Sequence, residues 1–507
     1  MSSQDYPRGV PGIDNSGESI GKASARGGVW AIAAEGIDFF LRLAAVAVLA
    51  RLLLPEHFGL ISMVTAITAV AERFKDAGLS IATVQFREIT HAQISTLFWV
   101  NLLLGFLIAT FIAALSFPIA AFYDDQRLLQ ITWAIALSFV FGGLTVQHYA
   151  LLRRTMQFRK IALVQIGASL GSIVLAILVA SLGGEYWALV VREVARTAFL
   201  LAGTWAAMPW RPGLPRRGSN VRGMLNFGGN LTLSNIVYYV SYSLDQVIIG
   251  RMFGAGPLGL YRQGANLITA PAVQIGYPAT LVGEPALARL RDRPGEFRSY
   301  LRALAATVSF FSMPLLFFVV VYADSVVRVA LGPGWEDATT LFRILGLAFF
   351  MQPTATLIGC VMIACGFARR TVAMACLHAA ILISAFALLA RIGPEGVAVA
   401  HAATFFVLLV PKLIYGLRGT PATPALFVDA TWRPLVFTLI TGAVMAAAKQ
   451  WTSFESSELD LALGLVGGTT IYLALWMIVP QGRADLLSMA ARLKSVLKPR
   501  ASAIAPT

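Results

Sequence analysis

Charge is scarce in this chain: only 13% of its 507 residues are Asp, Glu, Lys or Arg, against 57% hydrophobic residues and a mean hydropathy of +0.72. A soluble fold would be left with too little polar surface, which excludes the water-soluble classes. Cysteine is almost missing. Cys360, Cys365 and Cys376 sit in or beside apolar stretches without His or acidic neighbours at metal-ligand spacing, so they read as buried small hydrophobes, and no metal site is expected. An apolar leader is also missing, because residues 1 to 26 are polar and contain Pro, Gly and Ser. That excludes a cleaved signal peptide and predicts a disordered cytoplasmic tail, with the first helix acting as the insertion signal.

What is abundant is long apolar sequence. Runs of roughly 20 apolar residues, the length a bilayer core demands of a helix, recur about fourteen times. The first half predicts six helices over 28–50, 58–74, 93–117, 128–150, 161–182 and 187–207. The second half predicts helices over 225–249, 257–281, 301–322, 341–363, 371–391 and 397–415, followed by a pair at 434–449 and 461–479. The fold class is therefore an all-α polytopic membrane protein.

The loops give an independent check, since cytoplasmic loops hold the Lys and Arg excess. Arg73, Lys75 and Arg87 fall in the second loop, Arg153, Arg154, Arg159 and Lys160 in the fourth, Arg211, Arg216, Arg217 and Arg222 in the sixth, and Arg289, Arg291, Arg293 and Arg298 in the eighth. Arg369 and Arg370, then Lys412 and Arg418, and the basic C-terminal end continue the series, while acidic residues such as Asp124, Asp125, Glu185, Glu336 and Glu395 fall in odd loops. Both termini are expected in the cytoplasm. The formal charge of +14 follows from this topology and from attraction to anionic membrane lipids, not from nucleic-acid binding.

The chain also reads as duplicated. Ala50-Arg51-Leu52-Leu53-Leu54-Pro55-Glu56-His57-Phe58-Gly59-Leu60 resembles Gly250-Arg251-Met252-Phe253-Gly254-Ala255-Gly256-Pro257-Leu258-Gly259-Leu260. Arg153-Arg154-Thr155 recurs as Arg369-Arg370-Thr371, and Gly183-Gly184-Glu185 as Gly393-Pro394-Glu395. The expected organisation is a tail (1–26), a six-helix bundle (27–210), a basic linker (211–224), a second six-helix bundle (225–418), the extra helices 13 and 14 (433–480) and a basic cytoplasmic tail (481–507). Six is even, so the halves would be related by a pseudo-two-fold axis along the membrane normal, with a central cavity between them.

Several segments together resemble the polysaccharide transporter, or Wzx-type flippase, branch of the multidrug/oligosaccharidyl-lipid/polysaccharide exporter superfamily. They are the first repeated corner, Ala77-Gly78-Leu79 with Gln85, Arg154-Thr155-Met156-Gln157-Phe158, Asp245-Gln246-Val247-Ile248-Ile249-Gly250-Arg251 running into Leu258-Gly259-Leu260-Tyr261-Arg262, and Pro285-Ala286-Leu287-Ala288-Arg289-Leu290. The resemblance implies outward flipping of undecaprenyl-diphosphate-linked oligosaccharide repeat units across the inner membrane, for exopolysaccharide, capsule or O-antigen assembly. The polymerase and chain-length proteins of the same pathway are then candidate partners.

Such a substrate needs cationic, hydrated surface at membrane depth, where charge is costly enough to mark a pathway. Glu35, Asp38 and Arg42 share one face of the first helix; Arg42 is a candidate for the diphosphate, and Glu35 or Asp38 for a coupling proton or sodium ion. The trio can equally neutralise itself. In the sixth helix Arg196 falls near the midplane with Arg192 one turn away, both candidate phosphate ligands, unless Glu193 pairs with Arg196. Asn230, Ser234, Tyr238, Tyr242 and Asp245 form a polar stripe in the seventh helix; Arg262, Asn266 and Thr269 form another in the eighth. Arg262 is either a cavity cation or a snorkelling side chain, and Asp245 a coupling group or the partner of a nearby arginine. Pro271 and Pro278 make the eighth helix a candidate moving element. His378 and His401 carry no assigned chemistry.

The alternatives are a lipid II flippase, a multidrug extruder, which usually has twelve helices, and a membrane glycan polymerase or glycosyltransferase. The longest external loops, about 324–340 and 450–460, are too short for a catalytic domain, so no enzyme, catalytic residue or cofactor is expected.

Overall fold

A computed structural model describes residues 20–74, 80, 83–84, 89–215, 244–451 and 456–497. Every regular element among them is helical and none is a strand. Hydrocarbon favours that outcome, because a helix satisfies its backbone polar groups without water. The order is α1 (Ile20–Leu52), α2 (Pro55–Phe74), α3 (His91–Tyr123), α4 (Arg127–Arg154), α5 (Phe158–Ser181) and α6 (Trp187–Ala207). The helical stretch 244–253, α7, leads into α8 (Ala255–Leu290), α9 (Pro294–Val321), α10 (Ala323–Leu331), α11 (Ala338–Phe349), α12 (Gln352–Ala364), α13 (Ala368–Leu389), α14 (Pro394–Pro411), α15 (Pro424–Trp451), α16 (Ser457–Ile478) and α17 (Pro480–Leu497).

Eight of these helices are long and apolar enough to cross a membrane, or nine if α11 and α12, bent by 42° at their junction, count as one broken span. Pro353 at the start of α12 explains the break, since proline disfavours helix in the residue before it. The expected fourteen is reached only by adding α1, α2, α6, α7 and α8. Of these, α1, α6 and α8 hold the charges singled out in the sequence. At the ends, α1 begins at Ile20, inside the segment expected to be a disordered tail, and α17 makes a helix of residues expected to be tail. Pro480 suits the first turn, and the Ala, Leu, Met, Arg and Lys content of α17 favours helix.

Contacts divide the chain into two compact units, 1–262 with 330–334, and 263–329 with 335–507. In the first, α3 packs on α4, α4 on α6, α5 on α6 and α1 on α5. In the second, α9 packs on α11 and α12, α11 on α14, and α13 on α14, the same pairing order, and α15, α16 and α17 are added on α9, α15 and α16 in turn.

The repeat is visible at its corners. At the α4–α5 corner the N–H groups of Thr155, Met156 and Gln157 bond to the carbonyls of Leu151, Arg153 and Leu152; at the α12–α13 corner those of Cys365, Gly366 and Phe367 bond to Val361, Ile363 and Met362. The residue in the left-handed region is Met156 (φ 55°) in one and Gly366 (φ 81°) in the other, 210 positions on. The pairing of Arg153-Arg154-Thr155 with Arg369-Arg370-Thr371 is therefore out of register. Arg153 and Arg154 end α4, whereas Arg369 and Arg370 open α13, opposite Arg159 and Lys160. Gly183 and Gly393, both at positive φ, keep the spacing of 210. The first corners are spaced by 200, and the difference falls between α9 and α11, where α10 is inserted opposite the short link Asp124–Gln126.

Those first corners touch one another within the first unit. A Cβ on Gly59 would lie 1.7 Å from the carbonyl oxygen of Ala255, and one on Gly259 would lie 1.8 Å from that of Pro55. Pro55 and Ala255 are themselves equivalent positions of the repeat, so the contact is reciprocal, the form a local two-fold axis produces. Only glycine permits the approach.

Contacts between corners join loops of equal parity, as alternating spans require. Arg127 Nη2 lies 2.6 Å from Glu56 Oε1 and 2.7 Å from Asp125 Oδ2, joining the first and third loops. Lys160 Nζ donates to the Ala207 carbonyl at 3.2 Å, and Trp99 Nε1 to that of Gly213 at 2.8 Å, joining even loops. In the second unit Lys449 Nζ lies 3.4 Å from Asp324 and 3.8 Å from Asp460, which brings the two longest odd loops together. Arg298 Nε donates to the Pro421 carbonyl at 2.7 Å on the even side. Cys360 and Cys365 are buried as expected, whereas Cys376 is exposed on α13.

Candidate functional site

Helices α1, α5 and α6 bring the first charge cluster together. Arg42 Nη2 lies 3.2 Å from both Glu35 Oε1 and Asp38 Oδ2. Asp38 is buried, and Ser169 Oγ of α5 donates to its other oxygen, which fixes α1 against α5. Glu35 and Arg42 stay about half exposed. The self-neutralised arrangement is thus present, with a serine as a further partner.

On α6, Arg192 is within electrostatic range of Glu193, Arg196 and Arg42. Neither Arg192 nor Arg196 has a carboxylate within 4 Å among the described residues, so the Glu193–Arg196 pair that competed with a ligand-binding role is not formed. Arg196 lines a cavity of about 400 Å³ with Arg153, Tyr149, Gln165 and Thr145. Gln165 Nε2 donates to Tyr149 Oη at 3.1 Å.

Asp245 meets a tyrosine hydroxyl and a backbone amide. It is buried and accepts a 2.7 Å hydrogen bond from Tyr261 Oη and one of 2.8 Å from the Gln246 N–H, which ties α7 to the first turns of α8. Arg262 is in electrostatic range of Asp245 without an ion pair between them. Asn266, one turn further along α8, is partly buried and belongs to the second unit. Asn230, Ser234, Tyr238 and Tyr242 lie outside the described residues. Helix α8 is unbroken over its 36 residues although it contains Pro271, Pro278 and Pro285.

At the odd-loop end, Asp124 is the left-handed cap of α3 (φ 58°). Burial pushes the Asp125 carboxyl up, but the hydrogen bonds and charge of Arg127 outweigh it and hold the group below the usual carboxylate value.

The family described as "Polysaccharide biosynthesis protein" matches residues 48–340, more than half of the chain. The chain belongs to that family. Within the match lie both glycine corners and Arg153, Arg192, Arg196, Asp245 and Arg262; Glu35, Asp38 and Arg42 precede it. Among sequence relatives, the lipopolysaccharide biosynthesis protein WzxC of Escherichia coli (strain K12) is 26% identical over 354 residues, 68% of this chain and 71% of that protein. The succinoglycan biosynthesis transport protein ExoT of Rhizobium meliloti is 25% identical over 336 residues, 65% of this chain and 67% of ExoT. Among solved structures, an inward closed conformation of the lipid II flippase MurJ matches with a TM-score of 0.71 at 12% identity, covering 88% of this chain and 98% of that one. An inward-facing multidrug resistance transporter of the MATE family, itself of the MOP superfamily, matches with a TM-score of 0.59 at 11% identity, covering 75% and 93%. This polysaccharide biosynthesis family member therefore has the fold of those transporters.

Sequence reasoning missed Tyr149, Gln165, Ser169 and Tyr261, and it placed Arg153 among the loop charges. Tyr261 stood inside a quoted motif, which was the one available pointer.

Proposed function

We propose that this protein is a flippase for undecaprenyl-diphosphate-linked oligosaccharide repeat units, moving them outward across the bacterial inner membrane for exopolysaccharide, capsule or O-antigen assembly. The observation that carries the reading is the pair Arg192 and Arg196 in α6, with no carboxylate within 4 Å among the described residues, in a chain whose relatives are named for lipopolysaccharide biosynthesis and succinoglycan transport. Unpaired guanidinium groups at membrane depth suit phosphate oxygens. Arg262, and Arg42 once released from Glu35 and Asp38, would add to the cationic surface, and Asn230, Ser234, Tyr238, Tyr242 and Asn266 are the residues this reading assigns to the wet pathway.

In this reading the chain crosses the membrane fourteen times, both termini are cytoplasmic, and the two bundles alternate access around a central cavity while the polyprenyl tail stays in lipid. The cycle is driven by a proton or sodium gradient acting on Glu35 or Asp38, with no cofactor. The relatives are named as biosynthesis and transport proteins and the structural neighbours as transporters, which supports transport over enzymatic glycan transfer. A lipid II flippase is the second reading, favoured by the MurJ likeness; the sequence relatives favour the polysaccharide substrate.

The test is the amount of diphosphate-linked oligosaccharide in a deletion strain. Accumulation cured by the wild type and not by well-expressed Arg196→Ala is expected. Unimpaired polymer synthesis without accumulation overturns the assignment and turns attention to lipid II or small molecules.

A further inference from the structure

Four basic residues crowd the α4–α5 corner, and three of them are occupied by the fold. Arg154 Nη1 donates to the Thr83 carbonyl at 2.7 Å, Lys160 caps the end of α6 through the Ala207 carbonyl, and Arg159 lies 5.9 Å over the Trp30 ring. Arg153 is different. It has no carboxylate within 4 Å among the described residues and lines the same cavity as Arg196. Arg153 ends α4 on the even-loop side and Arg196 is midway along α6, so the cavity reaches from that membrane face toward the midplane.

Beside the two arginines, Tyr149 adds a donor, while the hydroxyls of Thr145 and Thr197 donate to their own helix carbonyls. Tyr149 Oη already accepts from Gln165 Nε2, which leaves the phenol proton to point at an occupant. The second unit holds a useful contrast, a cavity of about 690 Å³ that contains Arg298, Arg302 and Arg433. There Arg302 lies 2.6 Å from Asp429, Arg433 binds Asp485 and Gln481, and Arg298 binds a carbonyl. That cavity pairs two of its three guanidinium groups with carboxylates; the one in the first unit pairs neither of its two, and Glu35, held by Arg42, reaches Tyr149 only electrostatically.

We propose that the cavity bounded by Arg153, Arg196, Tyr149 and Gln165 is a phosphate or diphosphate site of the first unit, open to the even-loop face, where an anionic headgroup docks before it travels. Two guanidinium forks on separate helices can each take two phosphate oxygens, and the phenol adds a third donor direction. About 400 Å³ lies near the low end of small-molecule sites, the scale of a headgroup, not of a whole oligosaccharide repeat. The identity of the carrier, a lipid-linked diphosphate, rests on the flippase reading; the phosphate chemistry of the site does not.

The test uses the full chain in phosphatidylcholine nanodiscs titrated with inorganic diphosphate by calorimetry. Arg153→Gln and Arg196→Gln, in preparations that unfold thermally like the wild type, are each expected to weaken binding by at least about tenfold, and Tyr149→Phe by a few-fold. Unchanged affinity in Arg153→Gln, or no binding by the wild type, overturns the site. Repeating the titration in phosphatidylglycerol nanodiscs, in salt high enough to screen the bilayer surface, separates the sources: lost binding names a bulk lipid headgroup as occupant, and retained binding excludes it and leaves the diphosphate carrier. In the deletion strain, accumulation cured equally by wild type and Arg153→Gln sinks this site and leaves the flippase reading standing. Arginine-dependent diphosphate binding by a protein whose deletion causes no accumulation keeps the site and sinks the flippase reading.

Discussion

Ser169 donates a hydrogen bond to the buried carboxylate of Asp38, a polar tie across the packed faces of α1 and α5. Arg42 holds the other oxygen of the same group. Ser169→Ala is expected to destabilise the protein by about 1–3 kcal/mol, because it leaves a buried acceptor short of a partner. Asp38→Asn, which keeps an acceptor for Ser169, is expected to cost less than Asp38→Ala. Thermal unfolding of the three purified variants checks the order, and equal losses would show that Ser169 is not the partner that matters.

Tyr261→Phe removes one hydrogen-bond donor from buried Asp245, and a loss of about 1–3 kcal/mol is expected because a buried acceptor loses a partner. Arg262→Gln removes no direct hydrogen bond to Asp245 and is expected to unfold close to the wild-type temperature. The pair of melting curves separates an α7–α8 tie from a general effect of altering that turn.

Met156 stands at φ 55° where its counterpart in the repeat is Gly366. Met156→Gly is expected to stabilise the corner by up to about 1 kcal/mol, since a side chain in the left-handed region costs roughly 1–2 kcal/mol and Met156 is exposed. Gly366→Ala should lose a similar amount. Comparative denaturation of both variants checks the sign, which is opposite in the two.

Asp125 titrates below the usual carboxylate value because Arg127 binds it. A depressed carboxylate contributes stability above its unfolded value, near 3.8, and that contribution is lost as pH falls through the folded value. The α3–α4 link should therefore loosen only below about pH 4, with faster amide exchange around residues 124–127. Arg127→Ala should cost less than about 1 kcal/mol, as both ion pairs are partly exposed, and the effect should shrink in high salt.

Helix content was legible in the sequence because apolar length is a direct consequence of a bilayer. The charges of α1 and α6 were legible for the same reason, since they break apolar runs. The register of the later corners was not. An inserted helix such as α10 shifts the offset without leaving a composition change, and repeated Arg-Arg-Thr letters then align the end of one helix with the start of another. Ser169 and Tyr261 escaped because hydroxyls in membrane helices often bond their own backbone one turn back, as Thr145 and Ser309 do here, and sequence spacing cannot tell which ones reach across. Arg153 escaped because a positive charge at the end of an apolar helix has a topological explanation already.

A methyl group on Gly59 or Gly259 meets a carbonyl oxygen at under 2 Å, so each Gly→Ala change must push the corners apart. A loss of about 1–3 kcal/mol is expected for either. The double variant should lose less than the sum, because the first change has already separated the surfaces. A double-mutant cycle in thermal unfolding checks this, and strict additivity would mean that the two contacts act independently.

That contact is also a seam with two independent keys. Pro55 to Gly59 and Ala255 to Gly259 meet face to face, each glycine receiving the carbonyl that opens the other segment. Because the two glycines occupy separate positions of one chain, a substitution strikes one half of the seam at a time. Either lost glycine is enough to hold the backbones apart, so neither position can stand in for the other.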